Sequence, residues 1–137
     1  MKKLLIVDDI KMLRSSVRQI INNMAGLQIE GEAANAFEAL DQLSKKEFHL
    51  ILLDINLPGK SGIQLLEEIT AGYPQIPVIM MSTYDEVQFV KKSLQIGAKG
   101  FIRKTNLVNE LGVAVETVLS GNVFICEYFR DKLEKNI

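Results

Sequence analysis

The sequence predicts a single α/β domain, a doubly wound five-stranded parallel sheet with helices on both faces. Three observations lead there. Short apolar runs alternate with segments of helical period along the whole chain. The runs scarcely alternate in polarity, as strands covered on both faces require. Glycines recur just past the helical segments, where chains commonly end a helix in a left-handed turn.

The apolar runs fall at residues 4–7, 50–53, 78–81 and 100–102, with a weaker one at 28–32. Each is too short for a helix. Between them, Leu13, Val17, Ile20, Ile21 and Met24 repeat at three-to-four spacing, as do Ile63, Leu66 and Ile69, and then Val87, Val90 and Leu94. Leu111, Val115, Val118 and Leu119 form another stripe, and Phe37, Leu40 and Leu43 a shorter one. All are expected to face the core. Asn35 with Glu38, and Ser61 with Gln64, have capping-box spacing. Gly26, Gly72, Gly97 and Gly121 mark the expected helix ends. Five strand–helix units with right-handed crossovers follow. Residues 1–121 form the expected domain, and residues 122–137 an extension that folds as a short helix packed on it.

Composition narrows the function. The chain has 137 residues, 47% hydrophobic and 24% charged, and a formal charge of −1 from 16 basic and 17 acidic residues. That balance lacks the footprint of a nucleic-acid binder. The lone Cys126 can form no internal disulfide and reads as a packing thiol in a reducing compartment. Lys2 and Lys3 precede an apolar run of four residues that ends in two aspartates, too short for a signal peptide or a membrane span. A cytoplasmic protein is expected.

In open parallel sheets functional groups gather at the carboxyl ends of the strands. Asp8 and Asp9 follow the first run, Asp54 the third, Ser82 and Thr83 the fourth, and Lys104 the fifth. Each has an ordinary reading alone: a helix cap, a turn hydroxyl, a solvated lysine. Their joint placement on one edge argues for a site. Two unit charges about 4 Å apart cost roughly 1 kcal/mol in water and about 4 kcal/mol at an effective dielectric near 20. Lys104 or a hard divalent cation would offset the clustered carboxylates, and Mg2+ suits a site with few carboxylates and room for phosphate oxygens. Such a site fits phosphoryl transfer to a carboxylate nucleophile, with Asp54 central in the sheet.

Asp8-Asp9, the run Leu52-Leu53-Asp54-Ile55-Asn56-Leu57-Pro58-Gly59, the pair Ser82-Thr83 and Lys104 resemble the receiver domain of bacterial two-component response regulators. The resemblance covers about residues 1–121 and implies a flavodoxin-like fold with strand order 2-1-3-4-5. It implies that Asp54 accepts a phosphoryl group from a histidine kinase or phosphotransfer protein. Asp9 and Asp54 would ligate Mg2+ directly, Asp8 mainly through water, and Asn56 through its backbone carbonyl. Lys104 would contact the phosphoryl group, and Ser82 and Phe101 would form the switch. The domain would catalyse its own phosphorylation and dephosphorylation without being a turnover enzyme, and phosphorylation could produce a homodimer. Ser82-Thr83-Tyr84, Phe101-Ile102-Arg103-Lys104 and residues 119–133 look most like receivers that carry a LuxR-type (NarL/FixJ-like) DNA-binding domain. The chain ends at Ile137, so it is expected to be either a receiver separated from such a regulator or a single-domain protein. It is expected to contact neither nucleic acid nor membrane itself.

Some positions depart from that pattern. Thr105 stands where many receivers have proline, which leaves the Lys104–Thr105 peptide geometry open, and Thr83 is larger than the usual small residue. Tyr84 and Asn56 are expected to tune the phospho-aspartate lifetime. His49 lies far from the acidic edge and reads as structural. Gly59-Lys60-Ser61 imitates a P-loop but has Asp54 where the first glycine is needed. Haloacid-dehalogenase-type phosphohydrolases place the nucleophile after the first strand with a second aspartate two residues on, whereas Asn56 holds that place here. A phosphorylation-independent module of this fold would be expected to have lost Asp54, an acidic residue or Lys104. An FMN carrier would need a phosphate-cradling loop after the first strand, where Asp8 and Asp9 stand.

Overall fold

The computed structural model describes residues 1–83 and 87–135. In chain order the elements are β1 (Lys2–Val7), α1 (Lys11–Asn22), β2 (Leu27–Ala33), α2 (Ala36–Lys45), β3 (Leu50–Asp54), α3 (Gly62–Gly72), β4 (Val78–Ser82), α4 (Val87–Ile96) and β5 (Gly100–Arg103). A short 3-10 helix (Lys104–Asn106), α5 (Leu107–Leu119), β6 (Phe124–Ile125) and α6 (Glu127–Lys135) follow. The sheet is parallel throughout, in the order β2-β1-β3-β4-β5-β6.

Among the described residues six strands stand where five were expected. β6 is two residues long, too short to show a period, and exists because Phe124 and Ile125 pair with Gly100 and Phe101. The expected terminal helix is α6.

Side chains alternate across the strands and so build two cores. Leu4, Ile6, Leu50, Leu52, Ile79, Met81 and Ile102 meet α1 and α5 through Val17, Ile21, Leu111, Val115 and Val118. Leu5, Val7, Ile51, Leu53, Met80 and Phe101 meet the opposite layer, including Leu43, Leu66, Ile69, Val90 and Phe129. Burial of both faces explains the near-continuous apolar strands.

Local signals differ in detail from the expectation. Ser61 and Gln64 form the reciprocal capping box of α3. Asn35 caps Glu38 N, but the Glu38 carboxylate returns to Ala34 N rather than to the cap residue. Gly26, Gly97 and Gly121 have positive φ, whereas Gly72 is still helical and lacks it. Phe37, expected in the core, is 80% exposed. The buried face of α2 is Ala36, Ala39 and Leu43, which follow the helical turn, and Phe37 sits about 100° away from Ala36.

Candidate functional site

β1 and β3 are neighbours in the centre of the sheet, and Val7 pairs with Leu53. The residues after them, Asp8 and Asp54, therefore emerge side by side, both almost fully buried, while Asp9 is exposed. Helix α3 begins against this edge: Gly62 N donates to Ile55 O, and a Cβ on Gly62 would overlap the Asp54 carbonyl oxygen. The glycine is thus required for α3 to start so close to the strand end.

Lys104 begins the 3-10 helix after β5 and reaches back across the edge. Its Nζ lies 2.6 Å from Asp8 Oδ2 and 3.0 Å from Asp54 Oδ1, and its side chain is 7% exposed. Asp54 Oδ1 also accepts a hydrogen bond from Asn56 N (3.0 Å), and Asp8 Oδ1 one from Ile10 N (2.8 Å). Burial pushes the Asp54 carboxyl above the usual carboxylate range. The Asn56 amide and the Lys104 ammonium oppose that shift, and the Asp8 charge adds to it.

Sequence reasoning overlooked four residues that hold this edge. Arg14 donates to Asp8 O (2.7 Å) and to Glu32 Oε1 (2.9 Å), and Arg18 grips the other Glu32 oxygen (2.5 Å). Burial works to raise the Glu32 pKa, but hydrogen bonds and charge from Arg18 and Arg14 outweigh it and hold it low. Glu110 in α5 accepts from Arg103 N and from Asn106 Nδ2, both at 3.0 Å. The signal for Arg14 was available, since one helical turn past Asp8-Asp9 brings a side chain back to the strand end. Glu110 had none beyond being an acid near a helix start.

The other predicted residues are placed as follows. Ser82 ends β4, fully buried, one residue past the Met81 that pairs with Asp54. Asn56 and Thr83 are exposed at the same edge, and Tyr84 lies outside the described residues. Phe101 is fully buried on the opposite side of β5 from Ile102, with its ring edge-on to Phe129 at 5.1 Å. The Lys104–Thr105 peptide is trans, like the other described ones. His49, immediately before β3, accepts from Lys3 N through Nδ1 (3.0 Å), a structural tie. Cys126 is buried, and that burial raises its pKa.

One carboxylate oxygen from each of Asp8, Asp9 and Asp54 falls within 4.8 Å of the others. Asp8 Oδ2 is buried and faces the Lys104 ammonium. An all-oxygen donor set that already gathers positive charge fits a hard divalent cation. Among the described residues no helix is long and apolar enough to cross a membrane.

Comparison with known proteins agrees with this geometry. The profile of the response regulator receiver domain matches residues 4–116. Response regulator GacA of Pseudomonas protegens is 27% identical over 133 residues, 97% of this chain and 62% of that protein. A putative transcriptional regulator of Pseudomonas aeruginosa is 35% identical over 123 residues, 90% of this chain and 59% of that protein. The chain thus spans about three fifths of the length of these relatives. A LuxR-family two-component response regulator from Aurantimonas superposes with a TM-score of 0.93 at 24% identity, over 98% of this chain and 96% of that one. The isolated receiver domain of RcsB from Salmonella enterica, solved with the phosphomimetic BeF3−, gives 0.90 at 20% identity, over 95% and 96%. With strands, site edge and family profile in agreement, the chain belongs to the response regulator receiver domain family.

Proposed function

We propose that this receiver accepts a phosphoryl group on Asp54, with Mg2+, from a histidine kinase or phosphotransfer protein. The observation that carries the reading is the Lys104 ammonium held between the buried Asp8 and Asp54 carboxylates. A buried carboxylate beside a fixed ammonium is a nucleophile whose product charge already has a partner. An Asp54 oxygen attacks phosphorus, the bond from phosphorus to the donor nitrogen breaks, and the donor imidazole keeps the electron pair. Asp8, Asp9, Asp54 and the Asn56 carbonyl would hold the cation, which supplies charge neutralisation at the phosphoryl oxygens. Lys104 neutralises a further oxygen. Water later hydrolyses the acyl phosphate at the same site, so the domain modifies and resets itself rather than turning over a substrate.

Phosphorylation adds charge and strong acceptors at the strand ends. Ser82, at the end of β4, would move to meet them, and Phe101, on the adjacent β5, would respond, remodelling the surface around β5. Residues 1–121 are the receiver unit in this reading, and residues 122–137 the extension toward an output domain that binds DNA in a longer regulator. A change in self-association on phosphorylation fits the same reading, as does a cytoplasmic location. Intact mass after incubation with Mg2+ and acetyl phosphate tests it. One phosphoryl adduct is expected on the wild type, and none on Asp54→Asn or without Mg2+. An equal adduct on Asp54→Asn would refute the site.

A further inference from the structure

We propose that Glu110 is the positioning residue that aims Lys104 at the two buried carboxylates. The inference deepens the phosphoacceptor reading and rests on it. Lys104 stands at a corner where the chain leaves β5 and turns through the 3-10 helix into α5. On the β4 side the ladder reaches that corner only through its last rung, Ser82 with Arg103. Phe101 O accepts from Cys126 N, so Arg103 N, two residues on, faces the same edge of β5. There β6 has already ended at Ile125.

Glu110 fills the gap. Its Oε1 accepts from Arg103 N at 3.0 Å, and its Oε2 accepts from Asn106 Nδ2 at 3.0 Å and from Arg103 Nη2 at 3.2 Å. The residues on both flanks of Lys104 therefore hang from one carboxylate that is 7% exposed. Asn106 precedes α5 yet makes no side-chain cap to it: its Nδ2 donates to Glu110, and its Oδ1, the atom a cap would use, accepts from Asn109 Nδ2 at 2.7 Å. The Arg103 guanidinium also lies 4.5 Å from the centre of the Tyr128 ring, which ties the same corner to α6.

A first-turn acid also favours a helix through the macrodipole, which is the rival explanation. The two roles differ in what they move. A misdirected Lys104 slows phosphoryl transfer but withdraws an ammonium that competes with a cation for Asp8 and Asp54. Positioning thus predicts slower phosphorylation with Mg2+ binding equal or tighter, whereas general loosening weakens both.

The test measures the initial rate of adduct formation from acetyl phosphate at saturating Mg2+, with Mg2+ affinity titrated separately by thermal shift without donor. Wild type, Glu110→Ala, Glu110→Gln, Lys104→Met and the Glu110→Ala/Lys104→Met pair are compared. Glu110→Ala is expected to lose about tenfold or more in rate, with Mg2+ affinity undiminished. On the Lys104→Met background the same change is expected to cost nothing further. Glu110→Gln keeps an acceptor for Arg103 N and falls between, so it reads the effect even where the alanine variant folds poorly. A wild-type rate in both Glu110 variants, a parallel fall in Mg2+ affinity, or an undiminished effect without Lys104 would overturn the positioning role alone. A wild type that takes no adduct would overturn the phosphoacceptor reading, and this inference with it.

Discussion

The acidic edge and the flank formed by β6 and α6 meet in one strand, β5, yet different forces hold them. At the edge, Lys104 stands between Asp8 and Asp54, and the groups around it are charged or aimed at charges. At the flank, Phe101 and Phe129 are both fully buried and pack edge-to-face. Buried charge contributes little net stability but responds strongly to any added charge. Buried aromatic area contributes stability and responds to shape. In the function proposed above, the first would sense phosphorylation and the second would pass it on.

Removing the aromatic contact separates the two most sharply. Phe129→Ala is expected to cost about 3–5 kcal/mol of stability by leaving a cavity against Phe101. Denaturant unfolding checks this, and adduct formation on the folded fraction is expected to stay within a few-fold of wild type. A large loss of rate at unchanged stability would mean that the flank belongs to the site.

Changing the edge acts in the opposite direction. Because burial raises the folded-state pKa of Asp54 above its unfolded value, folding favours its protonated form. Its ionisation therefore costs stability, by nothing below the unfolded pKa and by the full amount above the folded one. In magnesium-free buffer at neutral pH, Asp54→Asn is expected to raise Tm, leaving Lys104 paired with Asp8. The gain is expected to shrink as pH falls toward about 4. Thermal unfolding of both proteins across that range would show it, and a gain that grows on acidification would contradict the sign.

The smallest effect belongs to neither region. Phe37→Ser is expected to alter stability by less than about 0.5 kcal/mol, since Phe37 is exposed. A cost of several kcal/mol in the same unfolding assay would restore it to the core.

These contrasts also explain what could be read from the chain. Asp8, Asp54 and Lys104 were legible because a parallel sheet brings the carboxyl ends of its strands to one edge, so position along the chain implies position in space. β6 was not, because Phe124 and Ile125 become a strand only through distant pairing with Gly100 and Phe101. Phe37 misled because a large aromatic outweighs two alanines in any hydrophobic pattern, while Ala36 and Ala39 make the true buried face. Glu110 was invisible because an acid near a helix start has an ordinary explanation, and only the fold shows which donors it meets.

The most direct test of the central claim is to locate the phosphoryl group. Acyl phosphates are reduced by borohydride to alcohols, which marks the acceptor permanently for peptide sequencing by mass spectrometry. After incubation with Mg2+ and acetyl phosphate, the account predicts the mark at Asp54 and at no other carboxylate. A mark at Asp8 or Asp9, or an adduct that resists reduction because it sits on a hydroxyl such as Thr83, would contradict it.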